Sequence, residues 1–251
     1  MLRDMTRLIH LVRHGQASAG SANYDRLSPC GREQAAHLGR WWRRGGFRID
    51  AAWHGTLERQ RDTAALALEA AGSTAPVSVL EPLDEYDHRA VDTHLSVRDA
   101  VPLVADDEVG AATVTSVATL AAAGAVPVNP ESMDYADYAD IMRRWRDTTD
   151  LPDSLEHWHA FASRGWQAIA ATADLAAPGD SLAFFTSGGI VSTVLATVLG
   201  LDFEHTIDAI WRVRNASVTT FAYEDGQARL VEFNAIPHLQ VHHDPALITL
   251  I

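Results

Sequence analysis

The sequence predicts an α/β protein: a three-layer α/β/α arrangement with a mixed, mostly parallel sheet and an inserted helical lid. Three observations carry that expectation. Apolar runs of strand length alternate with helix-length amphipathic stretches, the pattern of a sheet covered by helices. Three of the runs end in polar side chains beside glycine, at Arg13-His14-Gly15, His54-Gly55 and Ser187-Gly188-Gly189. The tail alternates like a meander, which adds an antiparallel end to the sheet.

The first strand is the apolar run Leu8 to Val12, closed by Arg13-His14-Gly15. After a polar loop from Gln16 to Leu27, Ser28-Pro29 opens a helix, with serine as N-cap and proline where its missing N–H costs nothing. Gly45-Gly46 ends that helix. A second strand over Asp50 to Trp53 leads through His54-Gly55-Thr56 into a helix from about Leu57 to Ala71, stopped by Gly72. Val77 to Leu80 is a short strand before Glu81-Pro82-Leu83-Asp84-Glu85. The stretch from about 86 to 151 is acidic, broken by prolines and helical in pattern, and reads as a subdomain inserted into a single domain spanning 1–251. Ser154 to Ala177 has helical periodicity and returns to the sheet, Leu182 to Thr186 is a buried strand, and the next helix ends near Gly200. The tail is expected to hold strands at Ile210 to Val213, Ser217 to Tyr223 and Ala228 to Phe233, with a turn at Glu224-Asp225-Gly226.

Composition narrows the function. A chain of 251 residues, 47% hydrophobic, can bury one large core. With a net charge of −13 and a pI of about 5.2, a broad nucleic-acid face or a polybasic membrane patch is not expected. All 20 cationic side chains are arginine, so Schiff-base or P-loop lysine chemistry is excluded. The single cysteine, Cys30, rules out an intrachain disulfide and suits a reducing cytoplasm, the expected location. The uncharged stretch Val109 to Pro130 is broken by Gly110, Gly124 and Pro127, and Ser181 to Leu201 by Thr186-Ser187-Gly188-Gly189 at mid-length, so neither reads as a membrane span.

Three strand ends carrying donors, each near a helix N-terminus, favour an anion. Arg59, in the first turn of its helix, adds a second permanent cation to Arg13, and paired arginines grip a phosphate with charge-assisted hydrogen bonds. The expected partner is therefore a small phosphorylated molecule, with no nucleic acid, no membrane, no cofactor and no metal. His157 with His159, and His242-His243-Asp244, lack a matching cluster nearby and read as surface histidines. Cys30-Gly31-Arg32 is not a cysteine-phosphatase loop, because the position six residues on is Ala36. Trp41-Trp42, Trp145, Trp158 and Trp166 read as packing residues.

The block Leu11-Val12-Arg13-His14-Gly15, with Leu27 to Ala35, Thr56 to Ala64 and Asn215 to Thr219, resembles the histidine phosphatase superfamily, the phosphoglycerate mutase-like proteins. The resemblance implies that His14 is a nucleophile that becomes phosphohistidine, that Arg13 and Arg59 clamp the phosphoryl oxygens, and that Glu85 is the general acid. Ser187, Gly188, His54 and Gln16 are the further phosphate-binding candidates. Asp84 and Asp87 are close enough in sequence to compete with Glu85, and Glu58 or Asp62 could instead tie Arg59 to the helix surface.

One departure stands out: the family places a second histidine where this chain has Ser187, and a hydroxyl is a weaker, neutral donor. Either another group substitutes, with His54 and His88-Arg89 as candidates, or the site binds phosphorylated ligands and turns them over slowly. The expected activity is phosphomonoester hydrolysis. Mutase-type phosphoryl transfer and a catalytically weak phospho-ligand-binding protein are the alternatives.

Overall fold

The computed structural model describes residues 6–18, 24–99 and 134–250. The chain divides into two compact units, Met1–Tyr86 with Leu151–Ile251, and Asp87–Asp150. The uncharged stretch Val109 to Pro130 lies outside the described residues.

The larger unit is built on a six-stranded sheet. In chain order its strands are β1 (Arg7–Arg13), β2 (Ala51–His54), β3 (Val77–Val79), β4 (Ser181–Thr186), β5 (Val218–Glu224) and β6 (Gln227–Ala235). They lie in the order β3-β2-β4-β1-β5-β6. The pairings β3–β2, β2–β4 and β4–β1 are parallel, and β1–β5 and β5–β6 are antiparallel. The two central strands read as largely apolar runs, broken within β1 by His10, because both of their faces are covered. Ile9, Leu11 and Val12 of β1 and Leu182 to Phe185 of β4 are fully buried.

Helices α1 (Pro29–Gly45) and α2 (Glu58–Ala71) cover one face. There Val12, Ala52, Ala183 and Phe185 pack with Leu38, Trp42, Ala64, Ala67 and Leu68 in one cluster. Ser28 caps α1, its hydroxyl accepting from the Gly31 N–H at 3.0 Å, with Pro29 at the first position as expected. The smaller unit contains α3 (His88–Asp99) and α4 (Tyr135–Asp147), which pack on each other. The larger unit continues with α5 (Trp158–Asp174), α6 (Gly188–Leu199) and α7 (Phe203–Arg212). A last short helix, α8, spans Pro237–Gln240.

The tail differs from its expected meander in one element. Ile210 to Val213 is not a strand: Ile210 to Arg212 end α7, and Val213 follows as its buried C-cap. A short apolar run has no periodicity of its own to separate strand from helix. The deciding signal lies upstream, where Asp202 accepts from the His205 N–H at 2.9 Å and starts the helix. The β5–β6 hairpin forms as read, with Asp225 and Gly226 at φ 50° and 77° in the tight turn.

Two histidines outside the strand ends are buried neutral. His10 sits in the sheet between Thr220 Oγ1 (3.0 Å) and Ser181 Oγ (2.9 Å), and burial lowers its pKa to about 4. Burial, with the nearby His37 and His242, lowers that of His238 to about 3. Both groups bind protons in the unfolded chain before they do in the folded one. Stability is therefore full above pH ~6.5 and falls as pH drops toward 4, by up to about 1.4 kcal/mol per pH unit for each histidine. Denaturant titrations at stepped pH are expected to show this slope, with His10→Gln reducing it by about one proton; an unchanged slope in that variant would contradict the assignment.

Candidate active site

β1 delivers Arg13 and His14 to the carboxyl edge of the sheet, and the backbone there is held from several sides. The His14 N–H donates to Thr186 O at 2.8 Å, and its carbonyl accepts from Ala216 N at 3.1 Å and Asn215 Nδ2 at 3.3 Å. Ala216 takes φ 54°, an unfavourable region for an alanine, at the point where it reaches that carbonyl. Gly15 donates to Thr63 Oγ1 at 3.0 Å. A Cβ at Gly15 would strike the Gly31 carbonyl, and one at Gly31 would strike that of Gln16. The close approach at Gly15 is thus to the first turn of α1.

These bonds settle the chemistry of the His14 ring. Nδ1 lies 2.7 Å from Gly15 O, and a carbonyl only accepts, so Nδ1 carries the proton. Nε2 therefore presents a lone pair, which accepts from Arg59 Nε at 3.2 Å. Burial, then Arg59 and Arg13, push the His14 pKa well below 6.5 against the opposing pull of the Gly15 carbonyl. The result is a neutral imidazole whose one lone pair lies on Nε2.

Arg59 is only 8% exposed and is held by a residue that sequence reading missed. Asp25 accepts from Arg59 Nη1 at 2.7 Å through Oδ1 and from the Glu58 N–H at 2.7 Å through Oδ2. One carboxylate thus orients the guanidinium and supplies the N-terminal acceptor that Leu57 cannot. The Tyr24 ring lies 5.6 Å from the guanidinium carbon. Glu58 and Asp62, the partners considered from sequence, engage Arg26 and Arg61 instead. Arg13 donates through Nη1 to Val213 O, and a Cβ at residue 188 would come into van der Waals contact with its guanidinium.

Glu85 follows a single 3₁₀ turn at Glu81–Leu83. Its Oε2 accepts from the Gly189 N–H at 2.9 Å, at the start of α6. A Cβ at residue 189 would strike Glu85 Oε1 and the Phe161 ring, so glycine is what admits the carboxyl. Burial raises the Glu85 pKa, while the Gly189 N–H, Arg59 and Arg13 hold it down. Its two sequence competitors are occupied with backbone: Asp84 accepts from Thr56 N at 2.6 Å, and Asp87 from Ala90 N at 3.0 Å. The acid-bearing segment is pinned by Arg164, which donates to Pro82 O at 2.6 Å and Asp84 O at 2.9 Å and is itself paired with Glu156 at 2.7 Å.

The remaining candidates are placed as follows. Ser187 is fully buried at the head of α6, and its hydroxyl accepts from Gln60 Nε2 at 2.9 Å. Gln16 Oε1 accepts from Ser28 Oγ at 2.8 Å, tying the loop to the α1 cap. His54 Nδ1 is bonded to Gly55 O at 2.6 Å on the neighbouring strand. His88 and Arg89 belong to the smaller unit. Among the described residues no group of three or more His, Cys, Asp or Glu side chains is arranged to hold a metal ion, and no helix is long and apolar enough to cross a membrane.

A family model described as the histidine phosphatase superfamily, branch 1, matches residues 9–106 and 127–236. The chain belongs to that superfamily. Solved structures of similar fold include a phosphoglycerate mutase from Bacillus anthracis, 18% identical, with a TM-score of 0.63 over 96% of this chain and 99% of that one. An alpha-ribazole phosphatase from Shigella flexneri is 20% identical, with a TM-score of 0.57 over 91% and 96%. A mycobacterial glucosyl-3-phosphoglycerate phosphatase is 21% identical, with a TM-score of 0.55 over 91% and 99%. At these identities the likeness is one of fold. No curated protein matches the chain.

The ring geometry makes a spectroscopic prediction for this histidine phosphatase superfamily member. In ¹⁵N NMR spectra, His14 is expected as the Nδ1–H tautomer, staying neutral as pH is lowered through 6.5. A His14 resonance that titrates at or above 6.5, or a proton on Nε2, would contradict the hydrogen-bond assignment.

Proposed function

We propose that the protein is a phosphomonoesterase working through a phosphohistidine intermediate on a small phosphorylated substrate. The observation that carries this reading is the His14 ring, with its Nδ1 proton committed to Gly15 O and its Nε2 lone pair beside Arg59. Phosphoryl transfer asks mainly for position and charge neutralisation. Arg13 and Arg59 supply the charge, and an incoming phosphoryl oxygen takes over the Arg59 Nε–H, which frees Nε2 to attack.

In the first step Nε2 forms a bond to phosphorus as the bond from phosphorus to the leaving oxygen breaks. The leaving alkoxide takes the proton of Glu85, a carboxyl whose burial favours the protonated form. The phosphorylated ring is cationic, and its Nδ1–H bond to Gly15 O strengthens accordingly. Water then attacks phosphorus and gives its proton to the Glu85 carboxylate. The P–N bond breaks, releasing inorganic phosphate and restoring neutral His14.

The reaction needs His14 unprotonated and Glu85 protonated. Rate is therefore lost as pH falls through the depressed His14 pKa and as it rises through the elevated Glu85 pKa, a bell-shaped kcat/KM profile. On a panel of phosphorylated metabolites plus an aryl phosphate, His14→Ala is expected to cost about 10⁴-fold or more in phosphate release. Glu85→Gln is expected to cost about 10²–10⁴-fold on alkyl phosphates, less on the aryl phosphate with its better leaving group, and to remove the alkaline limb. Interconversion of phosphorylated isomers without net phosphate release would instead make the protein a mutase. Binding with no turnover across the panel would make it a phospho-ligand-binding protein.

A further inference from the structure

Gln60 follows Arg59 on α2, and its side chain is fully buried. The orientation of its carboxamide is determined by its neighbours. Leu83 O, 3.0 Å away, can only accept, so the NH₂ group faces it. The other N–H of the same group donates to Ser187 Oγ at 2.9 Å. Ser187 is therefore the acceptor in that bond, and its own proton has no acceptor among the described residues. Gln60 Oε1 has no donor either, and lies against Gly55, where a Cβ would strike it. A buried carboxamide with one oxygen unsatisfied is a poor choice for stability alone.

The strand register says where the Ser187 hydroxyl lies. Arg13 pairs with Thr186 across β1 and β4, and the His14 N–H bonds Thr186 O. Continuing the register by one residue sets Ser187 beside His14. Residues opposite one another across paired strands share a face of the sheet. On that register Ser187 lies at the same carboxyl edge of the sheet as His14, and because its Oγ accepts from Gln60 its own proton is directed elsewhere.

We propose that Gln60 is a positioning residue: by donating to Ser187 Oγ it turns the serine proton toward a phosphoryl oxygen held at His14. The same NH₂ group holds Leu83 O, and with it the segment that carries Glu85 to Gly189. Thr186 Oγ1 is the second donor on that carbonyl, at 2.6 Å, so the segment keeps one anchor when Gln60 is changed. Ser187 stays neutral across the working pH range, so its contribution depends on the direction of its proton rather than on charge. The inference rests on the phosphatase reading for its kinetic readout, and inorganic phosphate binding supplies a second.

The test compares Gln60→Met, Ser187→Ala and the double variant, each checked for a cooperative unfolding transition, for aryl phosphate hydrolysis and for inorganic phosphate affinity. Each single change is expected to lower kcat by at least about tenfold, with KM moving by less than about threefold. The double variant is expected to be no worse than Gln60→Met, because both changes remove one device. Phosphate affinity follows the same non-additive pattern. Gln60→Glu adds a pH signature: the introduced carboxyl can donate only when protonated, so its kcat is expected to fall with rising pH more steeply than wild type. Wild-type kcat in Gln60→Met, additive losses in the double variant, or a Gln60→Glu profile parallel to wild type would overturn the proposal. No phosphate release by the wild type would overturn the phosphatase reading, and release that survives His14→Ala would overturn its phosphohistidine step; in either case the additivity of the phosphate affinities would still decide the role of Gln60.

Discussion

The site depends on a single hydrogen bond, from His14 Nδ1 to the carbonyl of the next residue, Gly15. That bond selects the tautomer and so fixes which nitrogen carries the lone pair. It also imposes conditions on the surrounding chain. The Gly15 carbonyl must be held in place, which the N–H bond to Thr63 and the backbone contact with Gly31 accomplish. The ring must stay neutral, which follows from burial between two guanidinium groups. The two arginines beside a neutral imidazole suit an anionic ligand, and Asp25 already balances the charge of Arg59.

The supporting residues meet those conditions with few parts, several of them used twice. Asp25 completes the start of α2 and aims Arg59. Gly189 removes a side chain so that Glu85 can enter, then donates its N–H to the carboxyl it admitted. The Leu83 carbonyl accepts from Gln60 and from Thr186 Oγ1, joining α2 and β4 to the acid-bearing segment. Each device links residues far apart in sequence, so the geometry of the site belongs to the folded sheet and its helices rather than to any one loop.

Much of the sheet was legible in the sequence, and for physical reasons. β1 and β4 are buried on both faces and therefore read as largely apolar runs, with His10 the one polar interior residue of β1, and the caps of α1 use residues whose chemistry is local, Ser28, Pro29 and Gly46. Arg13, His14 and Arg59 stood out because they sit where strand or helix punctuation is strong. The last turn of α7 was misread because Ile210 to Val213, seen alone, has no helical signature, and the N-cap Asp202 lies eight or more residues upstream. Asp25, Gln60 and Arg164 were not legible at all. Gln60 is one polar residue in the run Glu58-Arg59-Gln60-Arg61-Asp62, and nothing in that run distinguishes its buried side chain from the exposed Arg61 beside it. Asp25 and Arg164 act on partners 33 or more residues away, through contacts with no local pattern.

The most direct measurement is the position of the phosphoryl group on the trapped enzyme. After rapid quenching from an aryl phosphate, the account predicts an acid-labile, base-stable phosphoramidate on His14 at Nε2, identified by mass spectrometry and ³¹P NMR. Phosphate on Nδ1, on another residue, or on none during turnover would contradict it.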